Sequence, residues 1–193
     1  MPENDFNDFD VMKKNTEGKE TLPVLTLRNT VLFPQQVIPI YIGREQSLNL
    51  INGLPEEDRR IMVIAQKEGA VEDPQPKDLY DHGTIAQVLK VFKMPDESKS
   101  AIVQGLSRAK VSNLRIQDSY YIGDVEELEE YTEDSIEIDA MIGNLKKHYK
   151  SLIEVAPYLS DEHKSMLTNI QDPGRLVDRG IHLMKIPTKE KQD

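Results

Sequence analysis

The segment that most constrains the fold lies near the N-terminus and reads LPVLTLRNTVLFPQQVIPIYIGREQS. Two apolar, strand-like runs at 22–27 and 37–42 flank a turn that contains the Phe-Pro pair at 33–34. Further prolines lie inside the runs, at Pro23 and Pro39. Because proline has no backbone N–H to give to a neighbouring strand, we expect these strands at a sheet edge or at an irregularity. Such an incomplete edge is a candidate surface for recognition.

The composition excludes several classes of protein. The chain has 193 residues, a formal net charge of -10 at pH 7 and no cysteine. A strongly negative charge disfavours nucleic-acid binding, which needs clustered Lys and Arg. The lack of cysteine excludes disulfides and agrees with a reducing compartment. The acidic start is not a signal peptide, and no apolar run is long enough to span a membrane. We therefore predict a cytoplasmic protein without a membrane partner.

The patterning changes once along the chain. Short apolar runs broken by turn signals come first, and Ile61–Ala65 is an unbroken apolar run that is typical of a strand buried on both faces. From Ile138 onward the apolar residues follow a helical period. This order predicts an α+β fold, in which a small β-rich pseudo-barrel or sandwich precedes a small helical bundle. The predicted parts are a disordered leader (1–21), a β-rich subdomain (22–127), an acidic hinge (128–134), a helical bundle (135–186) and the start of a connector (187–193).

The sequence offers no constellation of residues that would support catalysis. It has no glycine-rich phosphate loop, and its four histidines lack the spacing of a zinc site. The acidic run at 124–139 lacks the pattern of a calcium loop. The segment GLSRA at 105–109 is similar to a nucleophile elbow, but its flanks indicate a tight turn between two strands. We predict no catalytic residue, no metal and no cofactor in this segment.

The opening LPVLTLRNTVLFPQQVIPIYIGREQS is followed by four further pieces, which are IMVIAQK (61–67), DLYDHGTIAQV (78–88), MPDE (94–97) and VQGLSRAKV (103–111). In their order and spacing, these five pieces together resemble the N-terminal domain of Lon ATP-dependent proteases. The resemblance covers about residues 22–127, and the helical part agrees in character. Arg179 and Gly180 stand where the family usually has an apolar helix interior. The resemblance therefore does not predict the helix length or the packing after Asp178.

The resemblance implies a function and a larger parent protein. Lon proteases continue with an AAA+ ATPase module, which uses ATP and Mg²⁺, and a Ser–Lys protease domain, and neither is present here. The chain is then either a fragment of a longer Lon subunit or a stand-alone Lon-type domain that binds a ligand or adaptor, and its charged end favours the fragment. In the family this domain helps to capture unfolded or degron-bearing proteins and supports the homohexamer. RNA binding is a third idea, which the negative charge disfavours.

Candidate substrate-binding residues come from the opening segment. An edge strand interrupted by proline can accept an extended peptide, and apolar side chains beside it would contact exposed apolar groups of the substrate. A structural role is the alternative for each residue, because two of them share a strand face that could be core and the Phe-Pro pair could only shape a turn. The candidates are Phe33, Pro34, Val37, Pro39 and Tyr41, with Arg44, Glu45 and Gln46 as a polar corner.

Overall fold

The computed structural model describes residues 19–96, 98–130 and 135–192. These residues divide into two compact units, of which the first extends to Leu128 and the second runs from Glu129 to Lys191. The first unit contains a sheet and one helix, and the second is helical. This order confirms the predicted α+β class.

The described residues of the first unit form six strands and a short helix. A single 3₁₀ turn at Pro76–Asp78 lies in the proline-containing loop before the fourth strand. The elements are β1 (Glu20–Leu27), β2 (Val37–Ile42), α1 (Glu45–Gly53), β3 (Arg60–Gln66), β4 (Leu79–Lys93), β5 (Lys99–Gln117) and β6 (Tyr120–Glu127).

The six strands form one sheet that closes on itself. Its order is β2-β5-β4-β3-β1-β6, and β6 pairs in addition with β5. Strands β1 and β3 are parallel, whereas the other pairs are antiparallel. The closed ring therefore contains every strand except β2, which is attached to the outside of the ring through β5.

Strand β5 corrects one prediction. The GLSRA segment was expected to be a tight turn between two strands, but it lies inside a single strand of 19 residues. Ile85 and Ala86 of β4 pair with Ser107 and Gly105, so Leu106 is an extra residue in a β-bulge. The glycine that suggested a turn is needed here for another reason: a Cβ on Gly105 would lie 2.3 Å from the carbonyl oxygen of Phe33.

Two hydrophobic clusters lie on opposite faces of the middle strands. In β3, Ile61 and Val63 belong to one cluster, and Met62 and Ile64 belong to the other. Because side chains alternate along a strand, β3 is buried on both faces, as its unbroken apolar run predicted. Leu50 of α1 packs into the first cluster and helps to cover that face of the sheet.

The start of β1 corrects the boundary of the predicted leader. Most of the leader, residues 1–18, lies outside the described residues, but Glu20 and Thr21 belong to β1 and pair with β6. The carboxylate of Glu20 accepts hydrogen bonds of 2.6 and 2.9 Å from the guanidinium of Arg60, which Asp58 also contacts. The polar character of the first residues of β1 therefore reflects an ion pair with β3. Residues 131–134 of the predicted hinge also lie outside the described residues.

A carboxylate joins three strands where the sheet closes. Asp124 of β6 accepts hydrogen bonds from Thr21 of β1 and from Asn113 and Arg115 of β5, at 3.1, 2.9 and 3.2 Å. The hydrogen bond from Asn113 lowers the pKa of Asp124 most, and those from Arg115 and Thr21 lower it further. The ionised carboxylate therefore stabilises the closed sheet.

The described residues of the second unit form four helices, and the first three have capped starts. They are α2 (Ile136–Val155), α3 (Asp161–Asn169), α4 (Pro173–Leu183) and the short α5 (Thr188–Gln192). Ser135 and Asp172 cap α2 and α4 by accepting hydrogen bonds from backbone N–H groups of the first turns. At α3, the N–H of Ser160 donates to Nδ1 of His163 at 3.0 Å, so a histidine takes the place of the usual Glu or Gln of a capping box.

Gly180 has a packing role in the second unit. The buried ring of Tyr149 from α2 lies against α4, where a Cβ on Gly180 would be 1.8 Å from the Tyr149 hydroxyl oxygen. Burial raises the pKa of Tyr149, and the negative charge of Asp178 raises it further. Helix α4 continues past Asp178 to Leu183, and Gly180 within it makes room for this ring.

The first prediction concerns Asp124 and pH. Because the folded-state pKa of Asp124 is lowered, its stabilisation is complete above the unfolded-state pKa of about 3.9 and is lost as the pH falls through the folded-state value. Asp124→Asn should therefore lower the free energy of unfolding by about 1–2 kcal/mol at neutral pH, and the difference should vanish in acid. Urea unfolding at several pH values measures this. A difference that is independent of pH would contradict the assignment.

The second prediction concerns Gly180. Gly180→Ala should destabilise the second unit by about 1–3 kcal/mol, because the new methyl group overlaps the Tyr149 hydroxyl. Gly143 of α2 is a matched control, since a Cβ there has nothing within 4 Å. Gly143→Ala should stabilise α2 by about 0.5–1 kcal/mol through helix propensity alone. Urea unfolding followed by far-UV circular dichroism distinguishes the two, and equal effects would refute the packing role.

Candidate functional site

Strand β2 has one buried face and one exposed face. Ile40 and Ile42 are buried in the first hydrophobic cluster. The alternate residues Val37, Pro39 and Tyr41 point to the other side and are exposed, with 53% of Val37 and 66% of Tyr41 accessible. Apolar side chains on the solvent side of an edge strand are unusual unless they contact something.

The exposed side of β2 continues across the neighbouring strands. Tyr41 pairs with Ser100 of β5, which in turn pairs with Phe92 of β4. Residues in register point to the same face of a sheet, so these three side chains form one row. Phe92 is 41% exposed, and the neighbouring Met94 at the end of the hairpin is also exposed.

A second row lies beside the first. Pro39 pairs with Ile102 of β5, which pairs with Lys90 of β4. The Nζ of Lys90 lies 4.9 Å from the centroid of the Phe92 ring and so links the two rows by a cation–π contact. We call this surface the outer face and define it by Val37, Pro39, Tyr41, Lys90, Phe92 and Ile102.

The side chain of Tyr41 is held in place at the edge of the outer face. Its hydroxyl donates to Oδ2 of Asp96 at 3.3 Å, and its ring lies close to Gly43, where a Cβ would be 2.8 Å from the ring. Hydrogen bonds from Ser98 lower the pKa of Asp96 most, with a further contribution from Tyr41. The ring is thus oriented while most of its surface stays accessible.

The Phe-Pro pair forms the turn that leads into β2. Phe33 is buried and lies apart from the outer face, while Pro34 is half-buried. The N–H of Gln35 donates to the carbonyl of Gly105, whose own N–H donates to Gln36, at 2.9 and 2.8 Å. Gln35 has a φ of 59°, in the left-handed region that favours glycine, and these bonds form a bulge at the start of β2. The structure therefore gives Phe33 and Pro34 a role in shaping this turn.

The polar corner divides into inward and outward residues. Arg44 donates to Oε1 of Gln66 at 3.0 Å and to Oγ1 of Thr26 at 3.4 Å, so its guanidinium is directed into the fold. Burial lowers the pKa of Arg44. Glu45 is exposed and Gln46 is half-buried in the first turn of α1. The structure therefore brings together Val37, Pro39 and Tyr41, and separates Arg44 from them.

Half of the outer face was not anticipated from the sequence. The apolar residues of β4 include the consecutive pairs Val88-Leu89 and Val91-Phe92, which simple alternation does not explain. Val88 and Lys90 pair with adjacent residues of β5, so Leu89 is an extra residue that shifts the alternation. The consecutive apolar residues in the sequence indicated this bulge. The shifted alternation places Phe92 on the exposed side of β4.

The described part of the chain lacks the features of other kinds of site. Within residues 19–96, 98–130 and 135–192, no group of three or more His, Cys, Asp or Glu side chains could hold a metal ion. In the same residues no helix is long and apolar enough to cross a membrane.

Comparison with known proteins identifies relatives of this chain. The family described as "ATP-dependent protease La (LON) substrate-binding domain" matches residues 21–193. A Lon protease from Koribacter versatilis is 42% identical over 183 residues, which cover 94% of this chain and 22% of that protein. The Lon protease of Escherichia coli K12 is 33% identical over 180 residues, which cover 92% of this chain and 23% of that protein. The chain thus spans less than a quarter of the length of these relatives.

Solved structures share the fold at low sequence identity. The N-terminal domain of a Mycobacterium avium complex Lon protease matches with a TM-score of 0.57 and 22% identity, covering 86% of this chain and 100% of that one. A Lon N-terminal domain protein from Xanthomonas campestris matches with a TM-score of 0.52 and 19% identity, covering 85% and 98%. The family match and the sequence relatives together show that this chain belongs to the Lon substrate-binding domain family.

Proposed function

We propose that this chain recognises unfolded or degron-bearing polypeptides for a longer Lon protease and binds them through the outer face. The observation that carries the proposal is the exposed apolar surface that β2, β5 and β4 build together. Burying apolar side chains of an unfolded polypeptide against it releases water from both surfaces, which favours binding at about 25 cal/mol per Å². Such contacts select exposed apolar segments, which folded proteins conceal.

The outer face lies on a backbone that the hydrophobic core holds in place. Its side chains alternate with buried residues of the first cluster, so the backbone under them is fixed by the core. Tyr41 is further oriented by Asp96, and Lys90 by the ring of Phe92. Orienting contact residues before binding reduces the entropy lost on association. This lower entropy cost favours binding at the outer face.

The proposal extends to the parent protein. The Lon relatives are more than four times longer than this chain, which leaves room for an ATPase module and a protease domain that would use ATP and Mg²⁺. In such a cytoplasmic parent, this domain would deliver misfolded proteins to the catalytic modules and support the homohexamer. Within this segment we assign no catalytic role to any residue.

The third prediction tests the outer face with substitutions. Tyr41→Ser combined with Phe92→Ser should weaken capture of a permanently unfolded model protein by about ten-fold or more, because two aromatic contacts are lost. Ile116 of β5 is a matched control, since it is 62% exposed and lies outside the outer face. Ile116→Ser should leave capture unchanged. Fluorescence anisotropy measures the binding, and circular dichroism verifies that each variant is folded.

Photocrosslinking locates the contact in the same system. A photoreactive group at Tyr41 should label the unfolded protein, and an unlabelled degron peptide should compete for that labelling. The same group at Ile116 should not label it, while Gln46 reports whether α1 takes part. Equal labelling at Tyr41 and Ile116, or no capture by the folded chain, would contradict the proposal.

A further inference from the structure

Strand β2 has a second edge that carries no strand in the described part of the chain. It pairs with β5 along 37–42, and no other described strand pairs with it. An unpaired edge presents a row of backbone N–H and C=O groups, and such a row is a template for another extended chain.

The bulge before β2 determines which groups face this edge. In an antiparallel pair, residues alternate between those that bond to the partner strand and those that face away. Gln36 accepts a hydrogen bond from Gly105, so the residues that bond to β5 are the even-numbered ones that follow it. Val37, Pro39 and Tyr41 therefore direct their backbone groups to the free edge. Pro39 fits this position, since it has no N–H to give to β5.

The three residues that carry these groups are exposed. Val37 and Tyr41 are more than half exposed, and Pro39 is exposed as well. Among the described residues, the backbone hydrogen bonds of turns and loops do not involve these three positions. The donors of Val37 and Tyr41 and all three carbonyls can thus take a new partner without breaking an existing contact.

We propose that a substrate segment binds by adding to the free edge of β2 as an extra strand. The backbone of the segment forms hydrogen bonds with the backbone groups of Val37 and Tyr41 and with the carbonyl of Pro39. Every second side chain of the segment extends the outer face. This inference rests on the proposed function and specifies the substrate class as extended segments with alternating apolar residues. Backbone bonds make such recognition tolerant of sequence, while the outer face supplies the preference for apolar side chains.

Pro39 favours a foreign segment over a second copy of this chain. When two copies of β2 pair through their free edges, each copy contributes a proline, so an N–H is missing from both strands. A foreign segment with a residue other than proline opposite Pro39 can still donate an N–H to the Pro39 carbonyl. In that case one N–H is missing, whereas two are missing when two copies of β2 pair. The proline therefore disfavours self-association more than it disfavours substrate binding.

N-methylated peptides test the backbone bonds directly. The probe is a labelled peptide that alternates tyrosine or valine with serine, compared with two versions that are N-methylated at alternate positions. Only one set of N–H groups can face β2, so one version should bind at least about ten-fold more weakly and the other should bind like the parent. Both versions carry the same side chains, which makes each the control for the other.

The outcomes separate this inference from the proposed function. If both methylated versions bind as well as the parent peptide, strand addition is wrong while binding at the outer face stands. If both bind equally weakly, the alternation required by a strand is absent and the inference is again wrong. If the parent peptide itself does not bind to the folded chain, the proposed function fails together with the inference.

A variant of the protein provides a second, independent test of strand addition. Pro39→Ala restores an N–H at the centre of the free edge, so the parent peptide should bind about three- to ten-fold more tightly. The variant should also self-associate at lower concentration in analytical ultracentrifugation. Pro95→Ala, in the exposed turn between β4 and β5, is the control and should change neither property. Unchanged peptide affinity in folded Pro39→Ala would overturn strand addition.

Discussion

The first unit depends on one long strand that serves two partners along the same edge. The first half of β5 pairs with β2 and its second half with β6, while its other edge pairs with β4. A strand must bend to close a sheet this small, and the bulge at Leu106 supplies an irregularity between the two halves. Gly105 permits the bend because the Phe33 carbonyl occupies the space of a side chain. Asp124 then fixes the closure with hydrogen bonds to both neighbours of β6.

The candidate site is a consequence of this closure. Because β6 pairs with the second half of β5 and joins it to β1, β2 lies outside the ring, with one partner and one free edge among the described strands. Its inward isoleucines hold it to the core, so the strand is rigid although its outer residues are exposed. A second bulge, at Leu89, sets which residues of β4 face solvent. The closure and the two bulges together therefore determine both the fold and the outer face.

The sequence predicted elements whose patterning is local. The unbroken apolar run of β3 and the helical period from Ile138 onward follow from rules that act within a few residues. The continuity of β5 could not be predicted from the sequence. A glycine such as Gly105 is equally compatible with a tight turn and with a strand that another backbone approaches closely. The outward position of Phe92 depends on a bulge, and the inward position of Arg44 depends on Gln66, which is distant in sequence. The features that the sequence analysis missed depend on which distant residues come into contact, and local propensity does not determine those contacts.

Amide hydrogen exchange tests the central claim most directly. With an unfolded model protein bound, the account predicts new protection at the amides of Val37 and Tyr41, which face the free edge. The amides of Ile38 and Ile40 already bond to β5 and should change little, so the effect should alternate along β2. Protection that appears only in the helical unit, or equally at every amide of β2, would contradict binding at this edge.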